Sequence, residues 1–163
     1  MSIEHIETLC KNPHFHALLL QGFLSGYKKP CEVRVLLMAL PILMYSDSRK
    51  KLVKATTRSR MDTLFSKPEE LENGTKISGR VKLSGYIERF KATINFSKKS
   101  LIILSSERKI ILKEKKIFLI KEIKYSDYKG VVREWVRAAY YLGVVFAKSN
   151  EEYLNYFLGV DRT

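Results

Sequence analysis

The side chains able to do chemistry are few, and their spacing argues against catalysis. His5, His14 and His16 are the only histidines, and all three precede residue 17. His14 and His16 stand two apart, so a helix turns them to different sides and makes them poor co-ligands for a metal. Ordinary helix-face histidines explain them better. Neither Cys10 nor Cys31 has an activating histidine beside it in the sequence. Glu69, Glu70 and Glu72 gather behind Pro68, where acids favour the start of a helix without doing acid–base work. No phosphate-cradling loop, dinucleotide fingerprint or nucleophile elbow is written in the chain. The expectation is a protein that is not an enzyme, with no cofactor, no metal and no small-molecule substrate.

The cations carry the signal instead. Residues 49–124 hold 21 Lys/Arg against 8 Asp/Glu, which is the whole formal charge of +13. Residues 1–48 hold four of each sign and residues 125–163 five of each, so both flanks are neutral. A surplus confined to one block implies a surface that meets an anionic partner. Lys50, Lys51, Lys98, Lys99, Arg108, Lys109, Lys113, Lys115 and Lys116 are the candidate nucleic-acid contacts. Such residues engage phosphates, which position a protein without reading sequence. Residues 98–105 include no Asn, Gln or Arg to read base edges, so double-stranded DNA would be held with little sequence preference.

These cations need a scaffold. Asn12 and Pro13 read as N-cap and first residue of a helix carrying Phe15, Leu18, Leu19, Gly22, Phe23 and Gly26, and Lys28-Lys29-Pro30 ends it. Residues 31–45 are apolar almost all round and predict a buried helix, kinked or split by Pro41. Ser46, Asp47 and Ser48 offer caps for a helix from Arg49 through Thr56, residues 61–65 suggest a short one, and Pro68 can start another. Asn73-Gly74-Thr75 is the clearest internal break. Leu83, Ile87, Phe90 and Ile94 then space out an amphipathic helix. Ser97 reads as the cap of a separate short helix, 98–105. Residues 109–113 and 116–120 read as a hairpin turning at Glu114-Lys115. Helix, short helix and hairpin with a basic tip is the order of a winged helix. Asp127 caps the strongest amphipathic stripe, Tyr128, Val132, Trp135, Ala139, Leu142 and Phe146. Ser149 and Glu152 form a capping box for a last helix stopped by Gly159. The long stripe needs an apolar partner, either the chain's own N-terminal helix pair, which is favoured, or another subunit.

The chain is read as a single domain over 1–163. It is α+β and mostly α: an N-terminal helix pair (10–45), a basic winged-helix-like part with one β-hairpin (46–125) and C-terminal helices with one long member (126–163). Two cysteines fit a reducing compartment, the acidic N-terminus lacks a signal peptide's apolar region, and the longest apolar run is too short to span a bilayer. A cytoplasmic protein with no membrane contact is expected.

Several stretches resemble the middle components of ABC-three-component systems. They are Asn12-Pro13-x-Phe15, Leu18-Leu19-Leu20, Phe23 and Gly26-Tyr27; Met38-Ala39-Leu40-Pro41-Ile42-Leu43; Ser48-Arg49; and Ala138, Leu142-Gly143, Phe146-Ala147 and Phe157-Leu158-Gly159-Val160. The resemblance covers about 10–60 and 130–162, and the chain departs from it over 67–91 with a longer, more basic insert. It implies a non-catalytic subunit working beside a large coiled-coil SMC/Rad50-like ATPase and an effector such as a nuclease, similar to the small accessory subunit of Lamassu-type anti-phage defence complexes. Phe15, Phe23, Tyr27, Trp135, Tyr140 and Tyr141 are the candidate partner contacts. The alternatives are a stand-alone winged-helix transcription regulator, which would need base-reading side chains, and a pure protein-interaction adaptor.

Overall fold

The central element is the helix that Asn12 opens. The computed structural model describes residues 3–66, 69–70, 72–77 and 83–160. Helix α1 (Ile3–Cys10), which lacked a sequence signal, leads into α2 (Pro13–Tyr27). The Asn12 side chain accepts the His14 amide at 2.9 Å, a cap worth about 1 kcal/mol. Lys28 ends α2 in the left-handed region. Nearly every α2 side chain from Phe15 to Tyr27 is buried, so this helix is the axis around which the rest packs.

The apolar run after it departs from a single helix. Cys31 and Glu32 form strand β1, and two short helices follow, α3 (Val33–Leu37) and α4 (Leu40–Leu43). Pro41 sits in the first turn of α4, where a missing amide costs nothing, so the break falls just ahead of it. The break leaves the Met38 carbonyl to accept the buried Tyr86 hydroxyl at 2.8 Å. Helix α5 (Ser46–Lys51) and a 3₁₀ turn (Leu52–Lys54) come next. Here Ser48 is a buried tie, not a cap: its hydroxyl donates to the carbonyls of Ile42 at 2.6 Å and Tyr45 at 3.1 Å. Helix α6 (Met61–Phe65) forms as expected, and Pro68 lies outside the described residues. Strands β2 (Glu69–Glu70) and β3 (Lys76–Ile77) pair antiparallel across the Asn73-Gly74 turn, with Gly74 at φ +83°.

The main correction concerns the centre. Residues Tyr86–Ser106 are one continuous 21-residue helix, α7, and the separate helix expected at 98–105 does not exist. Tyr86, Phe90, Thr93, Ser97, Ser100 and Leu104 step by four and three along one face, and no Gly or Pro interrupts them. Ser97, expected as a cap, is buried mid-helix at 0% exposure, as is Ser100. Their small side chains let α7 lie against α2, where Phe96 meets the His16 ring at 5.2 Å between centroids.

The hairpin forms as expected, with β4 (Ile110–Lys113) and β5 (Lys116–Leu119) paired from Ile110↔Leu119 to Lys113↔Lys116. Glu114 and Lys115 both take positive φ, 53° and 65°, as the turn matching a hairpin's twist requires. Strand β1 adds on the far side of β5, giving the order β1-β5-β4, so the N-terminal segment completes the sheet.

Helix α8 (Gly130–Phe146) begins three residues after the expected cap, because Asp127 belongs to a 3₁₀ turn (Tyr125–Asp127). Its stripe packs on α2, the internal partner favoured from sequence. The two backbones approach at glycines: a Cβ on Gly26 would overlap the Tyr140 carbonyl, and one on Gly143 would overlap that of Phe23. Helix α9 (Glu151–Leu158) is capped by Asn150, whose side chain accepts the Tyr153 amide at 2.7 Å, rather than by Ser149. Gly159, at φ +76°, stops it. Among the described residues no helix is long and apolar enough to cross a membrane.

Candidate functional site

The cations of the middle block divide into those the fold consumes and those it leaves in water. Arg49 is consumed: its guanidinium stacks on the Trp135 ring at 3.7 Å and donates to the Leu43 carbonyl at 2.8 Å. Burial pulls its pKa below the usual value. Arg89 stacks on Tyr45 at 3.8 Å and donates to the carbonyls of Pro41 and Ser84, and burial lowers its pKa too. A guanidinium suits both tasks because its planar fork can lie on a ring while donating at its edge.

Cations from the neutral C-terminal flank hold the basic block in place. Arg137 of α8 donates to three carbonyls, Leu52 at 3.3 Å, Val53 at 2.8 Å and Ala55 at 3.2 Å. Its other face lies over the Tyr141 ring at 4.6 Å. Lys148 reaches the carbonyls of Thr57 and Ser59. Arg137 thus serves the Val53 and Ala55 carbonyls at the end of the 52–54 turn and adds to the Ala55 amide already on the Leu52 carbonyl, while Lys148 ties down the loop after it.

Cations are left in solvent along the whole block, and five of the candidate contacts among them lie beside the hairpin. Lys98 and Lys99 are exposed on α7, and Lys113, Lys115 and Lys116 are exposed at the hairpin tip. The last turns of α7 and strand β4 run back along each other, because Leu101, Ile102, Ser105 and Ser106 share a groove with Ile110 and Leu112. One helical turn before Leu101 lie Lys98 and Lys99, and one residue past Leu112 lies Lys113. The fold thus gathers five candidate contacts at one end. Lys116 also stands 3.8 Å from Glu32, an exposed pair that contributes little. Arg108 and Lys109 lie at the other end of β4, roughly 14 Å from the tip at a strand's rise per residue. Arg108 is exposed at φ 59° in the turn out of α7. Lys109 pairs with Glu107 at 2.6 Å, and that hydrogen bond holds the Glu107 carboxyl below its usual range. Lys50, exposed, and Lys51, half-buried, sit on α5, apart from this cluster.

The proposed partner aromatics fare differently. Phe15, Phe23, Tyr27 and Trp135 are buried in the core, at 7% exposure or less. Trp135 packs on Phe15 at 5.3 Å, and Phe23 lies between Tyr27 and Phe146. Burial also pushes the Tyr27 phenol up to about 12. Tyr140 and Tyr141 stay half-buried in a ring cluster with Tyr125, which leaves them as the aromatic candidates on the surface.

Sequence reasoning missed the exposed apolar residues of the hairpin and of the α7 face beside it. Ile102, Ile111, Leu112, Phe118 and Ile120 are exposed, from 38% at Phe118 to 68% at Ile102. Their signal was present: Ile110-Ile111-Leu112 and Ile117-Phe118-Leu119-Ile120 are apolar without alternation, so a thin sheet must expose part of each run. Among the described residues no cluster of three or more His, Cys, Asp or Glu could hold a metal.

A sequence model of the family described as ABC-three component (ABC-3C) system Middle Component 3 matches residues 1–162. No curated protein and no solved structure gives a match.

Proposed function

The chain belongs to the Middle Component 3 family of ABC-three-component systems, and from that premise we propose that it is a non-catalytic accessory subunit that docks on the system's ATPase and holds DNA beside it. On this reading the ATPase is a large SMC/Rad50-like coiled-coil enzyme, the third component is an effector such as a nuclease, and the assembly serves anti-phage defence of the Lamassu type. A place in a multi-component system supports the accessory role. The observation that carries the DNA role is the sorting of the cations. Arg49 and Arg89 are tied into the core, while Lys98, Lys99, Lys113, Lys115 and Lys116 stand together in solvent.

Phosphate contacts of this kind release counterions and read no sequence. Duplex DNA should therefore bind to the isolated chain with an affinity that falls steeply with salt. Five or six contacts predict a loss of about 10³-fold between roughly 50 and 200 mM salt. Changing Lys113, Lys115 and Lys116 together to Glu should remove most of the binding and leave the circular dichroism spectrum unchanged. Wild-type chain that failed to retain duplex DNA at about 50 mM salt would end the DNA reading. The adaptor reading, in which the same face meets only protein, is favoured by the exposed apolar residues of the hairpin. Assembly with the ATPase that is indifferent to nuclease and to the triple Glu variant would select it.

A further inference from the structure

The hairpin ends in an open edge. Among the described residues β4 has a strand neighbour on one side only, β5. The Ile120 amide donates to the Lys109 carbonyl at 2.8 Å, which makes Ile110↔Leu119 and Leu112↔Ile117 the wide, non-bonded pairs of the ladder. The amide and carbonyl of Leu112 consequently point away from β5, off the edge of the sheet. Natural sheets blunt such edges with charge, proline or a covering element. Here the strand instead sets an exposed Ile111 on one face, at 53%, and an exposed Leu112 on the other, at 57%. Beside Leu112 runs the groove of about 370 Å³ against α7, with Ile102 68% exposed on its wall.

An open edge flanked by apolar side chains on both faces is suited to an added strand. Main-chain hydrogen bonds then supply affinity, and side chains alternating between the two faces supply choice. The charge around it specifies the occupant further. Lys98 and Lys99 lie one turn before the groove-lining Leu101 and Ile102 on α7, Lys113 follows Leu112 on the opposite face of β4, and Lys109 at the other end is already paired with Glu107. A basic occupant would be repelled, and the backbone of duplex DNA offers nothing for the apolar groove.

We propose that β4 is the docking edge for an extended segment of a partner protein in the same three-component system. That segment would carry apolar residues at alternate positions and an acidic residue at the end that meets Lys98 and Lys99. The added strand makes the sheet four-stranded, in the order β1-β5-β4-partner, and fills the groove between Ile102 and Leu112. The proposal rests on the accessory-subunit reading but not on the DNA reading.

The test is co-expression with the other two components of the system, followed by purification and amide hydrogen exchange. The Leu112 amide should exchange rapidly in the free chain and be protected in the complex, together with a partner segment that contains acidic residues. Leu112→Pro removes the outward-pointing amide and no hydrogen bond to β5, which an edge strand tolerates, and trims the side chain on the groove wall. It should weaken assembly at least tenfold with the monomer's circular dichroism unchanged, while Leu112→Val, which keeps the amide, should assemble nearly as wild type. If Leu112→Pro unfolds the chain, Ile102→Glu tests the groove wall alone, with the same loss of assembly expected. Normal assembly by Leu112→Pro and Ile102→Glu, or a protected partner segment that is basic, overturns the proposal and leaves the accessory role standing. A chain that pairs with itself through β4, seen as a dimer dissolved by Leu112→Pro, also overturns it. Failure of the wild-type chain to join any complex removes both readings.

Discussion

Replacing Gly26 with alanine tests how the two longest-packed helices meet. In an isolated helix the change would stabilise by about 1 kcal/mol, because alanine is the better helix former. Here the new Cβ would lie 2.7 Å from the Tyr140 carbonyl carbon and 3.1 Å from its Cα, while ordinary contact starts at 3.4 Å. The obstacle is backbone, so no rotamer change relieves it, and α2 and α8 must separate by roughly 1 Å. A gap of that size is too small for water, yet it forfeits about a quarter to a half of the dispersion energy of the contacts it opens. Overpacking of this kind typically costs about 1–3 kcal/mol, and a clash with main chain belongs at the upper end, so we expect a net loss of about 3 kcal/mol. With a urea slope of about 2 kcal/mol per molar, the unfolding midpoint should fall by about 1.5 M. Two companions sharpen the measurement. Gly22→Ala places its Cβ 3.3 Å from the Val136 side chain, which can yield, and should cost about 1 kcal/mol or less. Gly143→Ala meets the backbone of Phe23 and Tyr27, so alone it should match Gly26→Ala. The double variant should cost clearly less than the sum, because one separation of the helices relieves both clashes. A Gly26→Ala protein as stable as wild type, or strict additivity with Gly143→Ala, would refute the close crossing.

Two further outcomes follow from polar groups in the fold. Arg137→Met keeps the packing stem over Tyr141 but loses the bonds to the carbonyls of Leu52, Val53 and Ala55, and thermal or urea unfolding should show a loss of about 2–4 kcal/mol. Arg137→Lys should recover only part of this, since an ammonium cannot span all three. Burial lowers the pKa of His16 from 6.5, against the smaller raising effect of its bond to the Cys10 carbonyl. The unfolded chain therefore takes up the proton first as pH falls. Stability from this site is complete above about pH 6.5 and is lost as pH drops through the folded-state value, at no more than about 1.4 kcal/mol per pH unit. Unfolding midpoints measured from pH 7.5 to 5 should show this decline in wild type and a flatter profile in His16→Gln.

Local signals in the sequence were reliable where a single residue type settles the backbone. Asn12-Pro13 capped a helix, Gly159 stopped one, and two apolar runs around Glu114-Lys115 made a hairpin. The reading failed where small polar residues had two uses. Ser97 looks like a cap because its hydroxyl can bond a free amide, but in the fold its small volume lets α7 cross α2. Ser48, in the same way, ties α4 to α5 from inside. The start of the 31–45 run was misread because two residues of strand carry too little pattern to show, and only the distant β5 makes them one. Of the candidate site, the cationic cluster was legible as composition, but not which arginines the core would absorb. Stacking of Arg49 on Trp135 is a long-range contact that no local spacing encodes. The apolar hairpin faces were visible as letters, yet whether a face is covered depends on which elements come to rest beside it.

The hairpin tip has a consequence for how any ligand is held there. Glu114 and Lys115 adopt a backbone that non-glycine residues enter at a cost, and the Lys115 carbonyl accepts the Val33 amide at 3.0 Å. Through Val33 and the Cys31↔Ile117 pairing, the tip is bolted to the exit of the central helix rather than swinging from two strands. Lys113, Lys115 and Lys116 therefore enter an encounter with their main chain already fixed, and only their side chains have freedom left to lose. Association there spends less conformational entropy per contact than a flexible basic loop would, so a modest number of charges can hold a partner in one orientation.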